Sequence, residues 1–267
     1  MSAVPSSAVR TTGEGPTVIL VHGTATDAAT WLIQHKTLRD LRLVSYHRRG
    51  TPAWPVPDVR ALDTAIHARD LVEVIGEHGG ERPTVCGSSY GGVVVLEAMR
   101  TRPELFGRAI ICEPPLPPSS DQPAVPADWL SDFERAMAEQ GGRAAAELFL
   151  RTVLSDQAFE ALPRRWQERA KDLWEQIASD VYALANTAHN YRGLAQIEVP
   201  TLLLGGANSP PMYRRTLEVL SDALPDARLE IIASAGHMMH ADAARRFNLL
   251  VTDWARNAND RGRAAVE

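Results

Sequence analysis

Short apolar runs alternate along the chain with longer segments in which apolar residues recur at helical spacing. Six runs are predicted to be β-strands, at residues 17–21, 42–46, 83–86, 108–112, 201–204 and 228–232. Their nearly continuous apolar character is typical of parallel strands that are covered on both faces. The pattern therefore predicts an α/β fold with a mostly parallel central sheet and helices on both faces.

The stretch 114–196 interrupts this alternation, because it contains helical patterns and no convincing strand. One apolar stripe comprises Leu130, Phe133 and Met137, and a second, behind Pro163, comprises Trp166, Ala170, Leu173, Trp174 and Ile177. Such stripes usually pack against neighbouring elements, and a minority of their residues line a pocket. We predict that residues 114–196 form an inserted helical cap, and that residues 1–113 and 197–267 form the core.

Composition narrows the classes of partner. The chain has 267 residues, of which 45% are hydrophobic, and a formal net charge of -5, without a basic stripe that could neutralise phosphates. A small-molecule substrate is therefore expected and nucleic acid is not. Cys86 and Cys112 each end an apolar run and are predicted to be reduced core residues. The small, polar start and the lack of a long apolar run predict a soluble, cytoplasmic protein without membrane contact.

The segment Gly87-Ser88-Ser89-Tyr90-Gly91 has the pattern G-x-S-x-G between a predicted strand and an apolar helical segment. A serine hydroxyl is a poor nucleophile unless rigid backbone presents it to a base, and a sharp strand-to-helix turn does so. Ser89, rather than Ser88, is the predicted nucleophile. A pattern with three fixed positions also arises by chance, so its weight depends on further landmarks.

Two such landmarks occur in the expected order: His22-Gly23-Thr24 follows the first apolar run, and Gly236-His237 follows the last. The carboxyl ends of parallel strands meet at one edge of a sheet, so these segments should converge with Ser89. His237 is the predicted base, with His240 and His22 as weaker rivals. The backbone N–H groups of Thr24 and Tyr90 are the predicted donors to an oxyanion.

These segments resemble the motifs of the α/β-hydrolase family over about residues 17–256, with Tyr46-His47-Arg48-Arg49-Gly50 and Val199-Pro200-Thr201 as further matches. His47 stands where an aspartate is common in the family, in a turn that we interpret as structural. Many members carry the acid of the triad after the strand predicted at 201–204. Here that segment reads Gly206-Ala207-Asn208-Ser209-Pro210, and Ser209 occupies the matching position.

Glu113 follows the predicted strand 108–112 at the same edge of the sheet. Some family members, among them a group of haloalkane dehalogenases, carry their acid after this strand, so the resemblance makes Glu113 the expected acid. It would accept the second imidazole N–H of His237 and favour its cationic form. The alternative is that Glu113 is an exposed acid and that Ser89 and His237 act as a dyad.

The resemblance implies a serine hydrolase that cleaves a small or medium carboxylic ester, thioester or lactone through an acyl-enzyme, without a metal or organic cofactor. One alternative is a non-hydrolytic tailoring enzyme on the same fold, such as a cyclase, a lyase or an enzyme that cleaves C–C bonds. Another is a receptor-like protein that binds a ligand with little turnover. The cap could also mediate a homodimer.

Several bulky side chains are candidates for the substrate pocket, although spacing does not show whether each one faces the pocket or the core. The main candidates are Trp31, Trp129, Phe133 and Trp166, and weaker ones are Met137, Phe149 and His189.

Overall fold

One sheet of seven strands forms in the computed structural model, which describes residues 3–187 and 191–256. The strands are β1 (Val9–Thr12), β2 (Thr17–Val21), β3 (Arg42–Tyr46), β4 (Thr84–Ser88), β5 (Arg108–Cys112), β6 (Thr201–Gly206) and β7 (Ala227–Ile232). Their order across the sheet is β1-β3-β2-β4-β5-β6-β7. Only β1 is antiparallel to its neighbour, so the predicted mostly parallel α/β sheet is confirmed.

The apolar runs locate six of these strands, and β2, β3 and β5 begin and end at the predicted residues. Strand β1 was not predicted, because its sequence Val-Arg-Thr-Thr is polar and short. It pairs only with β3 at the edge of the sheet, and none of its residues is fully buried. An edge strand of this kind needs no apolar run, so hydrophobic patterning misses it.

Helices cover both faces of the sheet. Those outside the segment between β5 and β6 are α1 (Leu32–Thr37), α2 (Thr64–His78), α3 (Tyr90–Thr101), α10 (Pro211–Ala223), α11 (Met239–Asp242) and α12 (Ala244–Arg256). Between β5 and β6 lie α4 (Ala127–Gln140), α5 (Gly142–Leu154), α6 (Asp156–Ala161), α7 (Arg164–Asp172), α8 (Trp174–Ala185) and α9 (Tyr191–Leu194), called the cap insert below. No helix in the described ranges is long and apolar enough to cross a lipid bilayer.

Alternate residues of the strands feed two separate apolar clusters. Ile19 and Ile111 join one cluster, which includes buried residues of α2, α3, α8 and α10. Val18 and Ile110 join the other, which includes buried residues of α12. This alternation explains the continuous apolar runs, since every second residue faces the opposite helical layer.

The second predicted stripe of the cap spans two helices rather than one. Helices α7 and α8 meet at Leu173, whose φ of -85° and ψ of 22° interrupt the helical path. Helix α7 has no buried residue, whereas α8 buries most of its length, including Ile177 and Val181. Helix α8 therefore belongs to the same apolar cluster as the sheet, although it lies within the cap insert.

Candidate active site

Ser89 lies at the sharp turn between β4 and α3. Its φ of 54° and ψ of -126° are unusual for a residue with a side chain, and such strained backbone is concentrated at functional sites. The turn is fixed by two backbone hydrogen bonds, from Ser89 N–H to Cys112 O at 2.8 Å and from Gly92 N–H to Ser89 O at 2.8 Å. Ser89 itself remains partly exposed. The fold thus presents this hydroxyl to solvent on rigid backbone.

The glycines of the motif are needed because backbone segments approach too closely for a side chain. A Cβ atom at Gly87 would lie 2.4 Å from Gly91 O, and one at Gly91 would lie 2.4 Å from Val21 O. Either contact would force the backbone apart. The two glycines therefore let the turn close and let α3 begin directly against the end of β2.

Glu113 follows β5 directly and forms a hydrogen bond with His237. The distance from His237 Nδ1 to Glu113 Oε2 is 2.7 Å, and the carboxylate is only 1% exposed. Its oxygens also accept hydrogen bonds from Gly206 N–H at 2.7 Å and from Ser209 Oγ at 2.9 Å. Three donors offset the cost of burying this carboxylate. The structure therefore brings together Glu113 and His237, which are far apart in sequence.

The geometry assigns the tautomer of His237. An ionised carboxylate only accepts hydrogen bonds, so Nδ1 carries the hydrogen and Nε2 keeps a free lone pair. The ring stacks on Tyr213 of α10, with centroids 4.4 Å apart and an interplanar angle of 16°. Burial and the charge of Glu113 raise the pKa of Tyr213, so its phenol stays neutral. Both neighbours hold the imidazole in one orientation.

Ser89 and His237 are not joined by a hydrogen bond within the described part of the chain. Both residues are partly exposed, although the His237 side chain itself is only 8% exposed. Hydrogen bonds between a nucleophile and its base are often long in unliganded sites and tighten in the complex.

The two rival histidines are held inside the protein. His240 is 3% exposed and its Nε2 lies 2.8 Å from Thr30 Oγ1. Burial, with a contribution from His237, lowers its pKa to about 4. His22 is fully buried; its Nε2 accepts from Arg48 N–H at 3.0 Å and its Nδ1 donates to Gly23 O at 2.9 Å. These bonds give both rings a role in fixing loops.

The loop after β2 packs directly on the nucleophile. A Cβ atom at Gly23 would lie 2.9 Å from Ser89 Cβ, which places the adjacent Thr24 beside the site. Within the described residues, no backbone acceptor is found for the N–H group of Thr24 or of Tyr90. Tyr90 is the first residue of α3, where the helix dipole favours negative charge. These two N–H groups stay the predicted oxyanion donors.

A buried ion pair between Arg48 and Asp180 lies next to this loop and was not predicted. Asp180 belongs to α8, and its carboxylate forms two hydrogen bonds with the Arg48 guanidinium at 2.7 and 2.9 Å. Arg48 Nε also donates to His22 O at 3.0 Å. Burial by itself would lower the pKa of Arg48, but the charge and the hydrogen bonds of Asp180, with smaller contributions from Tyr90 and Tyr46, together raise it. The sequence signal for it was a single carboxylate in the otherwise uncharged stretch 177–185.

Two further hydrogen bonds tie the loop to α8. Thr24 Oγ1 donates to Asp180 Oδ2 at 2.8 Å. Gln176 Nε2 donates to Gly23 O at 3.2 Å and to Thr26 O at 3.0 Å. The loop that carries one predicted oxyanion donor is therefore fastened to the cap insert.

Two predicted pocket residues differ sharply in exposure, and their contribution to a substrate pocket stays a prediction. Trp31 is fully buried in the core cluster that contains Phe247, and the centroids of the two rings are 6.1 Å apart. Trp166 is 48% exposed on α7, where the guanidinium groups of Arg165 and Arg169 lie near its ring. Trp31 is thus a core residue and Trp166 a surface residue.

The other two candidates form an aromatic cluster in the cap insert. Trp129 and Phe133 stack with centroids 5.4 Å apart, and Phe133 meets Tyr182 edge-on at 6.4 Å. Trp129 Nε1 donates to Thr152 Oγ1 at 2.9 Å. Their contribution to a substrate pocket stays a prediction. The weaker candidate His189 lies outside the described residues.

Metal ligands were not predicted from the sequence. In residues 3–187 and 191–256, no group of three or more His, Cys, Asp or Glu side chains is arranged to hold a metal ion. Glu113 and His237 are hydrogen-bonded to each other instead. The expectation that no cofactor is needed stays a prediction.

Comparisons with known proteins agree with this fold. The 2-hydroxy-6-oxo-6-phenylhexa-2,4-dienoate hydrolase of Comamonas testosteroni is 24% identical over 255 residues, covering 91% of this chain and 89% of that protein. A thermophilic esterase from Thermogutta terrifontis, solved with malate bound, has a TM-score of 0.78 at 23% identity and covers 94% of this chain and 93% of its own. The enol-lactonase from Burkholderia xenovorans LB400 has a TM-score of 0.73 at 22% identity, covering 92% and 94%.

A family model described as the alpha/beta hydrolase family matches residues 18–248, which is most of the chain. The match begins in β2 and ends in α12, so it includes the Ser89 turn, Glu113, the cap insert and His237. It also agrees with the fold of the solved structures above. The chain belongs to the alpha/beta hydrolase family and is a hydrolase enzyme.

Proposed function

We propose that the protein is a serine hydrolase that cleaves a small or medium carboxylic ester, thioester or lactone through an acyl-enzyme on Ser89. One observation carries the proposal: the buried Glu113 carboxylate is hydrogen-bonded to His237 at 2.7 Å, at the sheet edge where the strained turn presents Ser89. A nucleophile, a base and an orienting acid are the parts that acyl transfer needs.

In the acylation step, Ser89 Oγ attacks the substrate carbonyl and its proton passes to His237 Nε2. The imidazole becomes a cation, which the Glu113 carboxylate stabilises through the hydrogen bond at Nδ1. The face of the Tyr213 ring adds a further attraction for the cation. His237 then donates the proton to the leaving oxygen or sulfur as the tetrahedral intermediate collapses to the acyl-enzyme.

The negative charge of the tetrahedral intermediate falls on the former carbonyl oxygen. The N–H groups of Thr24 and Tyr90 would donate hydrogen bonds to it, and the N-terminus of α3 would add its dipole. In the second step, His237 takes a proton from a water molecule, which attacks the acyl-enzyme. The acid product leaves and Ser89 recovers its proton.

The substrate class is supported by what the similar proteins are called. One similar structure is described as an esterase and another as an enol-lactonase. Their names denote hydrolysis of acyl–oxygen bonds, the reaction that a Ser-His-acid site performs. A thioester is the same reaction with sulfur as the leaving atom.

The proposal is tested with p-nitrophenyl esters of increasing acyl length, together with a lactone and a thioester. Wild type is run beside Ser89→Ala and Glu113→Gln, with Ser88→Ala as the matched control because it removes the neighbouring hydroxyl. We expect turnover by wild type and Ser88→Ala, and loss in Ser89→Ala by at least about a thousandfold.

Intact-mass measurement after mixing with a slow ester should show one acyl group on wild type and none on Ser89→Ala. Hydrolysis that persists in Ser89→Ala would contradict the proposal. A folded wild type that turns over none of the three substrate classes would instead favour a non-hydrolytic reaction on this fold or a receptor.

A further inference from the structure

The peptide that joins Gly23 to Thr24 contains the predicted oxyanion donor, the Thr24 N–H, and the Gly23 carbonyl oxygen, which accepts several hydrogen bonds. A peptide unit is planar and trans, so the Gly23 carbonyl and the Thr24 N–H point in opposite directions. Whatever fixes the carbonyl oxygen on one side therefore also fixes the direction of the N–H on the other. The partners of the Gly23 oxygen thus decide where the donor points.

Four donors converge on the Gly23 oxygen. They are His22 Nδ1 at 2.9 Å, Arg48 Nη2 at 3.1 Å, Gln176 Nε2 at 3.2 Å and Thr26 Oγ1 at 3.2 Å. Most backbone carbonyl oxygens accept one or two hydrogen bonds. This concentration indicates that the orientation of the Gly23–Thr24 peptide is held from the side away from the N–H.

Asp180 fastens the same peptide at a second point. Its Oδ2 accepts from Thr24 Oγ1 at 2.8 Å, while both of its oxygens accept from Arg48. Without Asp180, the Arg48 guanidinium would be a buried charge without its counter-ion, and the hydrogen bond at Thr24 would be lost. Gln176 and Asp180 are four residues apart in sequence on α8, so one helix face supplies both contacts.

We propose that Gln176 and Asp180 of the cap insert are positioning residues that aim the Thr24 N–H at the oxyanion formed on the Ser89 adduct. This inference rests on the proposed function, because it assigns the origin of one donor in that reaction. The charged Arg48 donor on the Gly23 oxygen also polarises the peptide, since hydrogen bonds in a chain strengthen one another. The Thr24 N–H is thereby a stronger donor than an unassisted amide.

The test compares Gln176→Met and Thr24→Val with wild type on an ester that wild type hydrolyses. Gln176→Met removes the donor to the Gly23 oxygen, and Thr24→Val removes the link to Asp180 but keeps the backbone N–H. Gln167→Met is the matched control, because Gln167 on α7 likewise donates to two carbonyls, of Phe159 and Leu162.

We expect kcat to fall about 10- to 100-fold in Gln176→Met and in Thr24→Val, with KM unchanged, because the oxyanion exists only in the transition state. The inhibition constant of a trifluoromethyl ketone, which forms an oxyanion on Ser89, should rise by the same factor. Thr24→Ser restores the hydroxyl and should recover most of the loss. Gln167→Met should retain the wild-type kcat.

Unchanged kcat in both test variants, a rise in KM alone, or an equal loss in Gln167→Met would each overturn the inference. Hydrogen exchange of residues 22–26 is measured in the same variants and does not require turnover. Faster exchange there in Gln176→Met but not in Gln167→Met supports the inference, and unchanged exchange overturns it. An inactive wild type would count against the proposed function alone, because the exchange result stands without it.

Discussion

The proposed catalytic site beside Ser89 has an acid–base half and an oxyanion half, which are built in different ways. The acid–base half consists of Glu113, Ser209, Tyr213 and His237, all of which follow strands of the sheet or begin α10. The oxyanion half consists of the loop 22–26 with Arg48, Gln176 and Asp180, and two of its residues come from the cap insert. The first half is assembled by residues at strand ends and on α10. The second half needs α8 of the cap insert, whose Gln176 is 153 residues from Gly23 in sequence.

The two halves also differ in how their buried charges are compensated. In the acid–base half, the buried Glu113 carboxylate is matched by hydrogen bonds from two loop donors and from His237. In the oxyanion half, Arg48 and Asp180 are both almost completely buried and neutralise each other. Substitutions in the first half should therefore affect chemistry, and substitutions in the second should affect stability as well.

The largest effect is expected for His237→Ala. Losing the base should lower kcat by about ten-thousandfold or more, because the members of a triad fail as a unit. The fold should be retained, since the ring is at the surface of the core and leaves Glu113 with two other donors. Ester turnover and circular dichroism check this pair of outcomes. Loss of folded signal would show that the acid–base half is also structural.

Arg48→Met should be the most destabilising of these changes. It leaves Asp180 buried without a cation and should lower the free energy of unfolding by about 3–5 kcal/mol. The double variant Arg48→Met with Asp180→Leu removes both charges and should recover part of that loss. Urea unfolding at pH 7 measures all three proteins.

The matched control for Arg48 is Arg60→Met, which breaks the exposed ion pair with Glu134. We expect it to change the free energy of unfolding by less than about 1 kcal/mol, since exposed pairs are screened by solvent. Equal effects of Arg48→Met and Arg60→Met would remove the distinction between the two halves.

Glu113→Gln should lower kcat on the order of a few hundredfold while the protein stays folded. The amide cannot stabilise the imidazolium, although it keeps an acceptor for Gly206 N–H or Ser209 Oγ. Kinetics on the best ester check the loss. Near-full activity would mean that the acid lies elsewhere or is not needed, and a larger loss in Asn208→Ala than in Glu113→Gln would point to the loop after β6.

The smallest effect is a pH dependence carried by His22 of the oxyanion half and by His67, which lies 3.7 Å from Asp180. Burial and the nearby Arg48 lower the pKa of both His22 and His67 well below the usual value, so both are neutral when folded. The unfolded chain takes up protons below about pH 6.5, so stability is full above that pH and is lost as the pH falls. Each such histidine should cost about 1.4 kcal/mol per pH unit in that range.

His67→Phe tests this sign, because the His67 ring has no hydrogen-bond partner among the described residues and meets Tyr90 edge-on. The free energy of unfolding is measured with urea from pH 7 to pH 5. Its slope against pH should be smaller in His67→Phe than in wild type, by the contribution of about one proton. An unchanged slope would mean that His67 is protonated in the folded protein, 3.7 Å from Asp180.

The acid–base half was accessible from sequence because its signals are local. A carboxylate at a strand end, together with the family resemblance, led to the prediction of Glu113, and the G-x-S-x-G pattern led to the prediction of Ser89. The hydrogen bond to His237 fits the expected role of Glu113. The oxyanion half was only partly accessible, since Asp180 pairs with Arg48 across 132 residues. Nothing local in either segment specifies its partner.

Side-chain direction was the other quantity that the pattern could not supply. Trp31 and Trp166 were predicted for the same pocket, yet one is buried in a core cluster and the other is on the surface of α7. The difference arises from how the short helices pack, which spacing along one helix does not encode. The missed edge strand β1 has the same origin, because its pairing with β3 rather than its composition makes it a strand.

The contacts of Gln176 and Asp180 also determine which part of the cap insert could be exchanged for that of a relative. Replacing everything between β5 and β6 would remove both side chains and leave the Arg48 guanidinium buried without its counter-ion. A graft that ends before α8 would exchange the outer helices α4–α7 and keep those contacts. The useful crossover point for recombination with a relative is therefore Leu173, inside the insertion, rather than the strand that follows it.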